Sequence, residues 1–356
     1  MRKNDLQSRT IDVLRFLLIF YVVLIHSYSS TRGMVEAGDF SGYRFVSFLF
    51  SLEIAQVAVP SLFFISGYLF FCRPQPYGMK LRKEARSLLV PYLLWNALIL
   101  LLYFCLQSIP ALSHFFSGNN LPVRDYGLTD FFRAFWDGGD WDKGNGTPIL
   151  HQFWYIRNLI ILGLASPLIR FYVKATGWWG AGALLLVWLF SPGQAFMAES
   201  FSCFVLGACF SLKGKDFLGL FRKYAKIVYI LYPVLLVVNM ALRDVQYMLP
   251  LDRIGFLLGM VFTANVVAYL VERYGKKKSY ASLRGLGFFL FAFHDPLLTF
   301  VKRLALYLAE PPTDLKLIAV YFLAPAAVIV LSLVVYRLLS RSAPGVTKML
   351  TGRLPL

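Results

Sequence analysis

Residues 11–26 read IDVLRFLLIFYVVLIH, and the ten residues between Arg15 and His26 are all aliphatic or aromatic. A second, mostly apolar run extends from Leu93 to Leu106. Of the 356 residues in the chain, 58% are hydrophobic and 15% are charged, whereas a soluble domain carries roughly 25% charged residues. Because about 20 mostly apolar residues cross a bilayer as a helix, these runs predict membrane spans. The composition excludes a disordered chain, a collagen, a coiled coil and a disulfide-stapled secreted domain.

The sequence predicts an all-α, polytopic membrane helical bundle of about ten helices, with residues 1–356 forming a single domain. The predicted spans are residues 11–30, 50–71, 86–107, 149–170, 178–191, 197–212, 224–242, 253–272, 285–307 and 317–339. The fifth and sixth spans are short for a bilayer of about 30 Å, so one helical hairpin is an alternative for that pair.

The distribution of lysine and arginine predicts that both termini face the cytoplasm. With the N-terminus inside, the inner segments carry 24 of the 36 basic residues and the outer segments carry 10. This excess follows the positive-inside rule, which also accounts for the net charge of +17 without a nucleic-acid partner. The four cysteines lack metal-ligand spacing, so no metal is expected.

Three ionisable residues share one face of the first span. Asp12 and Arg15 are three residues apart and can pair on a helix. His26 follows Arg15 by eleven residues, within about 20° of three full turns. Ionisable groups inside a membrane are costly and tend to mark function, so the stripe indicates a functional site. The alternative is that Asp12 and Arg15 cap the helix while His26 reaches the opposite interface.

The second span contains a carboxylate at a depth that matches His26. A carboxylate beside a histidine fixes its tautomer and raises its basicity, so Glu53 is the predicted partner of His26. A solvated glutamate at the interface is the alternative. Later in this span, Pro60 predicts a kink or break, and Gly67 after Ser66 permits close helix packing.

Two later spans also contain polar groups. Arg157 in the fourth span needs a partner, and Glu199 at the start of the sixth span is one candidate. His294 lies near the middle of the ninth span, which is an unfavourable place for a purely structural histidine. Asp295 followed by Pro296 predicts a helix break there.

The inner loop after the second span is strongly basic. It contains Arg73, Lys80, Arg82, Lys83 and Arg86. These residues are either the positive-inside signal or a dock for a phosphorylated cytosolic cosubstrate, since arginine and lysine bind phosphates.

The one long predicted loop, residues 108–148, lies on the outer side. Trp136 and Trp141 stand among the carboxylates Asp137, Asp140 and Asp142. The loop is either a solvated segment with interfacial aromatic residues or a lid that faces carbohydrate, with tryptophan rings on sugar faces and carboxylates on hydroxyls. His114 in this loop is assigned no role.

Taken together, the motifs resemble the acyltransferase-3 family of bacterial integral-membrane acyltransferases. The resemblance spans nearly the whole chain and depends on the order and spacing of the motifs. They are Asp12-x-x-Arg15, Arg15-x10-His26, residues 63–69 (FFISGYL), residues 86–92 (RSLLVPY), residues 151–156 (HQFWYI) and residues 293–296 (FHDP). Some relatives carry a C-terminal SGNH hydrolase-like domain, which this chain is expected to lack.

The resemblance implies transfer of an acyl group, usually acetyl, from cytosolic acyl-CoA to a hydroxyl. Typical acceptors are cell-envelope glycans, lipid-linked saccharides or antibiotics, and the membrane is the bacterial inner membrane. The family depends on the arginine and histidine of the first span, which here are Arg15 and His26. The predicted catalytic group is therefore His26 and Arg15 with Asp12 and Glu53, and the predicted donor-binding group is Arg73, Arg82, Arg86, Ser66, Tyr155, Arg157 and His294.

Two chemistries fit His26 in such an enzyme. It is either a general base for direct attack by the sugar hydroxyl or a transient acyl carrier. Ser66 and Tyr155 are candidate hydrogen-bond donors to the developing oxyanion. The rival function is a proton-coupled transporter or flippase of an envelope precursor, because intramembrane ionisable groups also form proton relays. The two halves of the chain show no repeated pair of broken helices, which a transporter would favour. A non-catalytic scaffold leaves the polar stripe unexplained.

Overall fold

The computed structural model describes residues 3–29, 40–110, 121–138, 146–193, 195–242, 249–275 and 282–353. Within these ranges every regular element is helical and no strand occurs, which confirms the predicted all-α class. The helices are α1 (Lys3–Ser29), α2 (Ser41–Ser47), α3 (Ala58–Cys72), α4 (Tyr77–Glu84), α5 (Val90–Gln107), α6 (Leu128–Asp137), α7 (Trp154–Leu164), α8 (Ser166–Phe190), α9 (Phe196–Leu212), α10 (Phe217–Lys223), α11 (Ala225–Leu242), α12 (Leu249–Tyr274), α13 (Ser282–Leu308), α14 (Asp314–Ser342) and α15 (Pro344–Leu350).

By length and composition, seven helical segments of the described residues can cross a membrane, or eight if the bent pair α9–α10 forms one span. Ten spans are expected from the sequence, and the fourth and fifth account for part of the difference. The predicted span 149–170 contains a helix, α7, of only 11 residues. Helix α8 begins at Ser166 and covers 25 residues with a kink at Gly177, where φ is 59°. The inward placement of both termini stays a prediction.

The chain divides into two compact units. The first contains residues 1–75 and 165–335, and the second contains residues 76–164 and 336–356. The first unit holds the predicted stripe of α1, and the second holds Arg82, Arg86, Tyr155 and Arg157.

Two glycines of the first unit allow α3 and α9 to approach closely. A Cβ atom on Gly67 would overlap the backbone carbonyl of Phe204, and one on Gly207 would overlap that of Phe64. Backbone against backbone leaves no flexible side chain to move aside, so these positions require the smallest residue.

We therefore expect Gly67→Ala to lower the yield and thermal stability of folded protein in detergent. Gly182→Ala in α8 is the matched control, because a Cβ at Gly182 meets nothing within 4 Å. Alanine is also the better helix former by about 1 kcal/mol, so the control variant keeps or gains stability. Equal unfolding temperatures for the two variants would contradict the close approach.

The helical geometry changes immediately before Pro60. A π-helical segment, Phe48–Ile54, and a 3-10 turn, Ala55–Val57, separate α2 from α3. Proline has no backbone N–H, so the carbonyl four residues earlier loses its helical partner. The chain nevertheless forms one helical segment from Ser41 to Cys72. Pro60 thus changes the local winding and does not end the span.

The break predicted at Pro296 does not occur. Helix α13 runs without interruption from Ser282 to Leu308 with Pro296 inside it. A proline is accommodated inside a helix when neighbouring groups satisfy the freed backbone carbonyl. His294 and Asp295 consequently stand on a continuous helix.

A buried arginine caps the C-terminal end of α8. The guanidinium of Arg253, in α12, donates to the carbonyls of Trp188, Leu189, Ser191 and Gly193. Its Cζ also lies 5.8 Å from the centroid of the Trp188 ring. The last carbonyls of a helix have no partner within the helix, and a cation there suits the helix dipole.

Candidate active site

The first unit brings a histidine of α1 and an aspartate of α13 together. Nδ1 of His26 lies 3.4 Å from Oδ1 of Asp295, and the two side chains are 13% and 26% exposed. His26 stands in the last turn of α1. The two helices pack against each other, so the pair joins two elements that are distant in sequence.

Apolar residues one turn away hold this pair in register. Val23 of α1 and Leu290 and Leu298 of α13 are buried in one cluster with residues of α14. Val23 is three residues before His26, and Leu298 is three residues after Asp295. A packed layer next to the pair restricts rotation of both helices, as close-packed interiors do.

His294 adds a second imidazole to the site. Its ring centroid lies 5.0 Å from that of His26 in an edge-on arrangement. Nδ1 of His294 lies 2.8 Å from the carbonyl oxygen of Phe291 and 3.2 Å from that of Leu290. A carbonyl can only accept a hydrogen bond, so Nδ1 carries the proton. Nε2 is buried and has no hydrogen-bond partner in the described part of the chain.

A buried lysine lies beside the same end of α1. Lys302 of α13 is 1% exposed, and its ammonium donates to the carbonyl of Ser27, the residue after His26. The carbonyls of the last helical turn lack partners within the helix, so Lys302 stabilises the turn that carries His26.

The geometry of the His26–Asp295 pair suits general-base chemistry. With Nδ1 facing a carboxylate, the proton of neutral His26 lies on Nδ1 and the lone pair lies on Nε2. The carboxylate also stabilises the imidazolium that forms when Nε2 takes a proton. A base oriented by a carboxylate is the arrangement that activates hydroxyl nucleophiles.

We expect Asp295→Asn to lower kcat by on the order of 10²-fold while the KM values change little. Asparagine keeps the shape of the side chain but cannot stabilise imidazolium, so the loss falls on the chemical step. Steady-state kinetics with the acyl donor and acceptor varied in turn measure the two parameters. An unchanged kcat, or a loss confined to KM, would remove Asp295 from the chemistry.

The structure places Glu53 away from the role predicted for it. Nδ2 of Asn239, in α11, donates to Oε2 of Glu53 at 3.0 Å, and both side chains are buried. The carboxylate that the structure places against His26 is Asp295. The predicted depth of Glu53 could not show which helix its side chain faces.

The other predicted residues of the first unit lie on the helices that surround the site. Asp12 and Arg15 are half-buried on α1, and Arg15 is about 16 Å below His26 along the helix axis. Ser66 is half-buried on α3, which packs against α1. Arg73 is exposed just after α3. The pairing of Asp12 with Arg15 stays a prediction.

In the second unit, Arg157 has partners other than the predicted Glu199. Its guanidinium donates to the carbonyl of Trp136 at 2.6 Å and to Oδ1 of Asn158 at 3.2 Å. The guanidinium carbon also lies 4.9 Å from the centroid of the Trp136 ring. Glu199 belongs to the first unit, where Arg253 is its neighbouring positive charge.

The remaining predicted donor-binding residues also belong to the second unit. Tyr155 is buried on α7. Arg82 is exposed on α4, and Arg86 is half-buried in the π-helical turn that follows. Trp141, Asp140, Asp142 and His114 lie outside the described residues.

Sequence reasoning missed Asp295 and Lys302 as members of the site. Asp295 is predicted only as the residue before a helix break at Pro296, and Lys302 lies within the predicted ninth span without an assigned role. A signal was present: a carboxylate and a lysine seven residues apart stand close to one face of a helix, next to a histidine already considered functional.

Comparison with known proteins identifies the family of the chain. The family model described as an acyltransferase domain matches residues 9–337, which include every residue of the site described above. The chain belongs to the acyltransferase-3 family. It is therefore an acyltransferase and an integral membrane protein, as the motifs predicted.

One curated relative of this acyltransferase matches along almost its entire length. It is the succinoglycan biosynthesis protein ExoH of Rhizobium meliloti (strain 1021), which is 25% identical over 97% of this chain and 92% of its own. No solved structure matches.

Proposed function

We propose that this acyltransferase transfers an acyl group from cytosolic acyl-CoA to a hydroxyl of a cell-envelope glycan or lipid-linked saccharide. The proposed acyl group is acetyl, which is the usual one in the family. The bacterial inner membrane is the proposed location. The observation that supports this most strongly is the His26–Asp295 pair, a histidine oriented for proton abstraction within a chain of the acyltransferase-3 family. The relative ExoH, named for succinoglycan biosynthesis, supports a glycan acceptor.

The proposed reaction is direct attack. Nε2 of His26 takes the proton of the acceptor hydroxyl while that oxygen attacks the thioester carbonyl. As the tetrahedral intermediate collapses, the carbon–sulfur bond breaks and the new ester bond remains. The imidazolium then returns its proton to the leaving thiolate, which restores neutral His26 and releases free thiol. Asp295 stays ionised and holds the imidazole in one orientation throughout.

His294 is proposed to support this reaction as a hydrogen-bond acceptor. Because Nδ1 donates to backbone carbonyls, neutral His294 has only the lone pair of Nε2 to offer. It is therefore suited to accept a hydrogen bond from a hydroxyl or thiol near His26. Stabilisation of the oxyanion falls to donors, for which Ser66 on α3 is the proposed group within the first unit.

The donor phosphates are proposed to bind the basic residues Arg73, Arg82 and Arg86. Arg82 and Lys83 are exposed on α4, so both side chains can contact a soluble ligand. Arginine suits phosphate because its planar guanidinium donates two parallel hydrogen bonds. Arg15, inside α1 and below His26, is proposed to orient the pantetheine arm, with Asp12 holding Arg15.

The test uses purified protein with radiolabelled acetyl-CoA, with and without an oligosaccharide acceptor. The proposal expects slow release of free CoA without retained label when no acceptor is present, and labelled oligosaccharide when it is added. If the wild-type protein retains label and His26→Ala does not, the reaction proceeds through an acyl-histidine intermediate and not by direct attack. Absence of cleavage and of transfer, combined with saccharide uptake into vesicles, would favour the transporter instead.

A further inference from the structure

Hydrogen bonds from the turn that precedes α6 and from the C-terminal end of α6 attach this segment to α5 and fix its direction. At the last residue of α5, the amide of Val123 donates to the side chain of Gln107 at 2.6 Å, and Arg124 donates to the Gln107 carbonyl at 3.2 Å. At the opposite end, the hydroxyl of Tyr92 donates to the carbonyl of Phe135. Tyr92 and Gln107 are 15 residues apart on α5, or about 22 Å. Helix α6 therefore runs antiparallel to α5, from the end of α5 back towards its start.

Helix α7 continues in the same direction. The amide of Leu150, just before α7, donates to the side chain of Asn96 on α5 at 3.3 Å. At the far end, the hydroxyl of Tyr77 on α4 donates to the carbonyl of Leu164 at 2.8 Å. Because α4 and α5 belong to one helical segment, Tyr77–Gln107, α6 and α7 in series lie along its whole length. That length exceeds the roughly 30 Å hydrocarbon core of a bilayer.

Protein donors satisfy the C-terminal carbonyls of α6. The carbonyl of Ala134 accepts from the amide of Ile149 at 2.7 Å. The carbonyl of Phe135 accepts from Tyr92, and that of Trp136 accepts from Arg157. A helix that ends in water needs no such partners, whereas a helix that ends inside a membrane does. Three consecutive carbonyls, each with its own donor, are what a half-helix inside the bilayer requires.

The exposed face of α6 is apolar. Leu128, Phe131, Phe132 and Trp136 are 75%, 42%, 66% and 58% exposed. The charged residues Asp130, Arg133 and Asp137 lie on the opposite side of the helix, where the Arg133 side chain is itself 40% exposed, and they have local partners. Arg133 and Asp137 form an ion pair at 3.8 Å, and Asp130 accepts from the amide of Gly127 at 2.9 Å.

From these contacts we infer that α6 and α7 are the two halves of a broken membrane span, and that the exposed face of α6 contacts lipid acyl chains. The neighbouring stretch of α5 also exposes leucines, including Leu98, Leu101 and Leu102. The apolar surface of a spanning helix therefore continues onto α6, as lipid contact requires. The described part of the predicted outer loop returns into the membrane, and Arg157 caps the half-helix there.

Collision measurements on a nitroxide spin label at Phe132→Cys test this inference. The background replaces the exposed Cys72 and Cys105 and keeps the buried Cys203 and Cys209. Leu101→Cys is the lipid-facing control and Arg124→Cys is the aqueous control. The protein is reconstituted in vesicles and probed with oxygen, which concentrates in lipid, and with a water-soluble nickel chelate.

We expect the oxygen-to-nickel accessibility ratio at Phe132→Cys to match that of Leu101→Cys and to exceed that of Arg124→Cys about tenfold. A ratio equal to that of Arg124→Cys would show a surface loop in water and overturn the inference. Low accessibility to both reagents would show a face covered by protein and would also overturn it. Leu128→Cys at the other end of the face gives an independent reading if the first variant folds poorly.

Discussion

Replacing His26 by alanine is expected to lower the rate of acyl transfer by roughly 10²–10⁴-fold, the contribution of a positioned general base. The variant removes the atom that takes the hydroxyl proton, and no other group in the described site has the same orientation by a carboxylate. His294 is a weaker replacement, because its Nδ1 donates to backbone carbonyls and not to a carboxylate that would stabilise the imidazolium. Transfer of label from acetyl-CoA to an oligosaccharide acceptor measures the rate.

Two controls keep this result interpretable. The variant should retain the unfolding temperature of the wild type to within a few degrees, because His26 is partly exposed and is not part of the packed cluster around Val23. Gly182→Ala, at an open position of α8, should retain wild-type transfer. Wild-type activity in His26→Ala would end the proposed role of this histidine.

The largest effect on stability is expected from Arg253→Met. Methionine keeps the apolar stem of the side chain but removes the guanidinium that donates to four carbonyls at the end of α8. The carbonyls of Trp188 and Gly193 still accept backbone amides, from Ser191 and Ala195, so those of Leu189 and Ser191 lose their donor. A buried polar group left without a partner costs about 1–3 kcal/mol, so the variant should lose about 2 kcal/mol of stability. Thermal unfolding in detergent, followed by the loss of monodisperse protein, measures this change.

Arg253→Lys is the matched comparison for that experiment. Lysine restores the positive charge but offers a compact ammonium in place of the five N–H groups of a guanidinium. It should therefore recover part of the loss and remain below the wild type. If the lysine and methionine variants both unfolded at the wild-type temperature, the cap on α8 would contribute nothing to stability.

The first span illustrates what helical periodicity can predict. The separation of eleven residues from Arg15 to His26 places the two side chains on one face of any α-helix, and α1 is a single helix from Lys3 to Ser29. The composition likewise predicted an all-helical membrane protein. Such inferences need only local geometry, so they hold without knowledge of the fold.

The partners of these residues could not be predicted in the same way. Glu53 and Asp295 are both carboxylates at plausible depths, and only helix packing decides which one meets His26. Glu199 was one candidate partner for Arg157, but the guanidinium donates to the carbonyl of Trp136 at the end of α6 and to the side chain of Asn158. Carbonyl partners leave no signature in a sequence, because every residue has one.

A double-variant comparison tests the central claim most directly, namely that His26 and Asp295 act as one catalytic unit. The rates of acyl transfer are measured for the wild type, His26→Ala, Asp295→Asn and the double variant under the same conditions. If Asp295 acts only through His26, the double variant will be no slower than His26→Ala, because residues that act as a unit have strongly non-additive effects. A double variant slowed by the product of the two single effects would show that the two residues act independently, and would contradict the account.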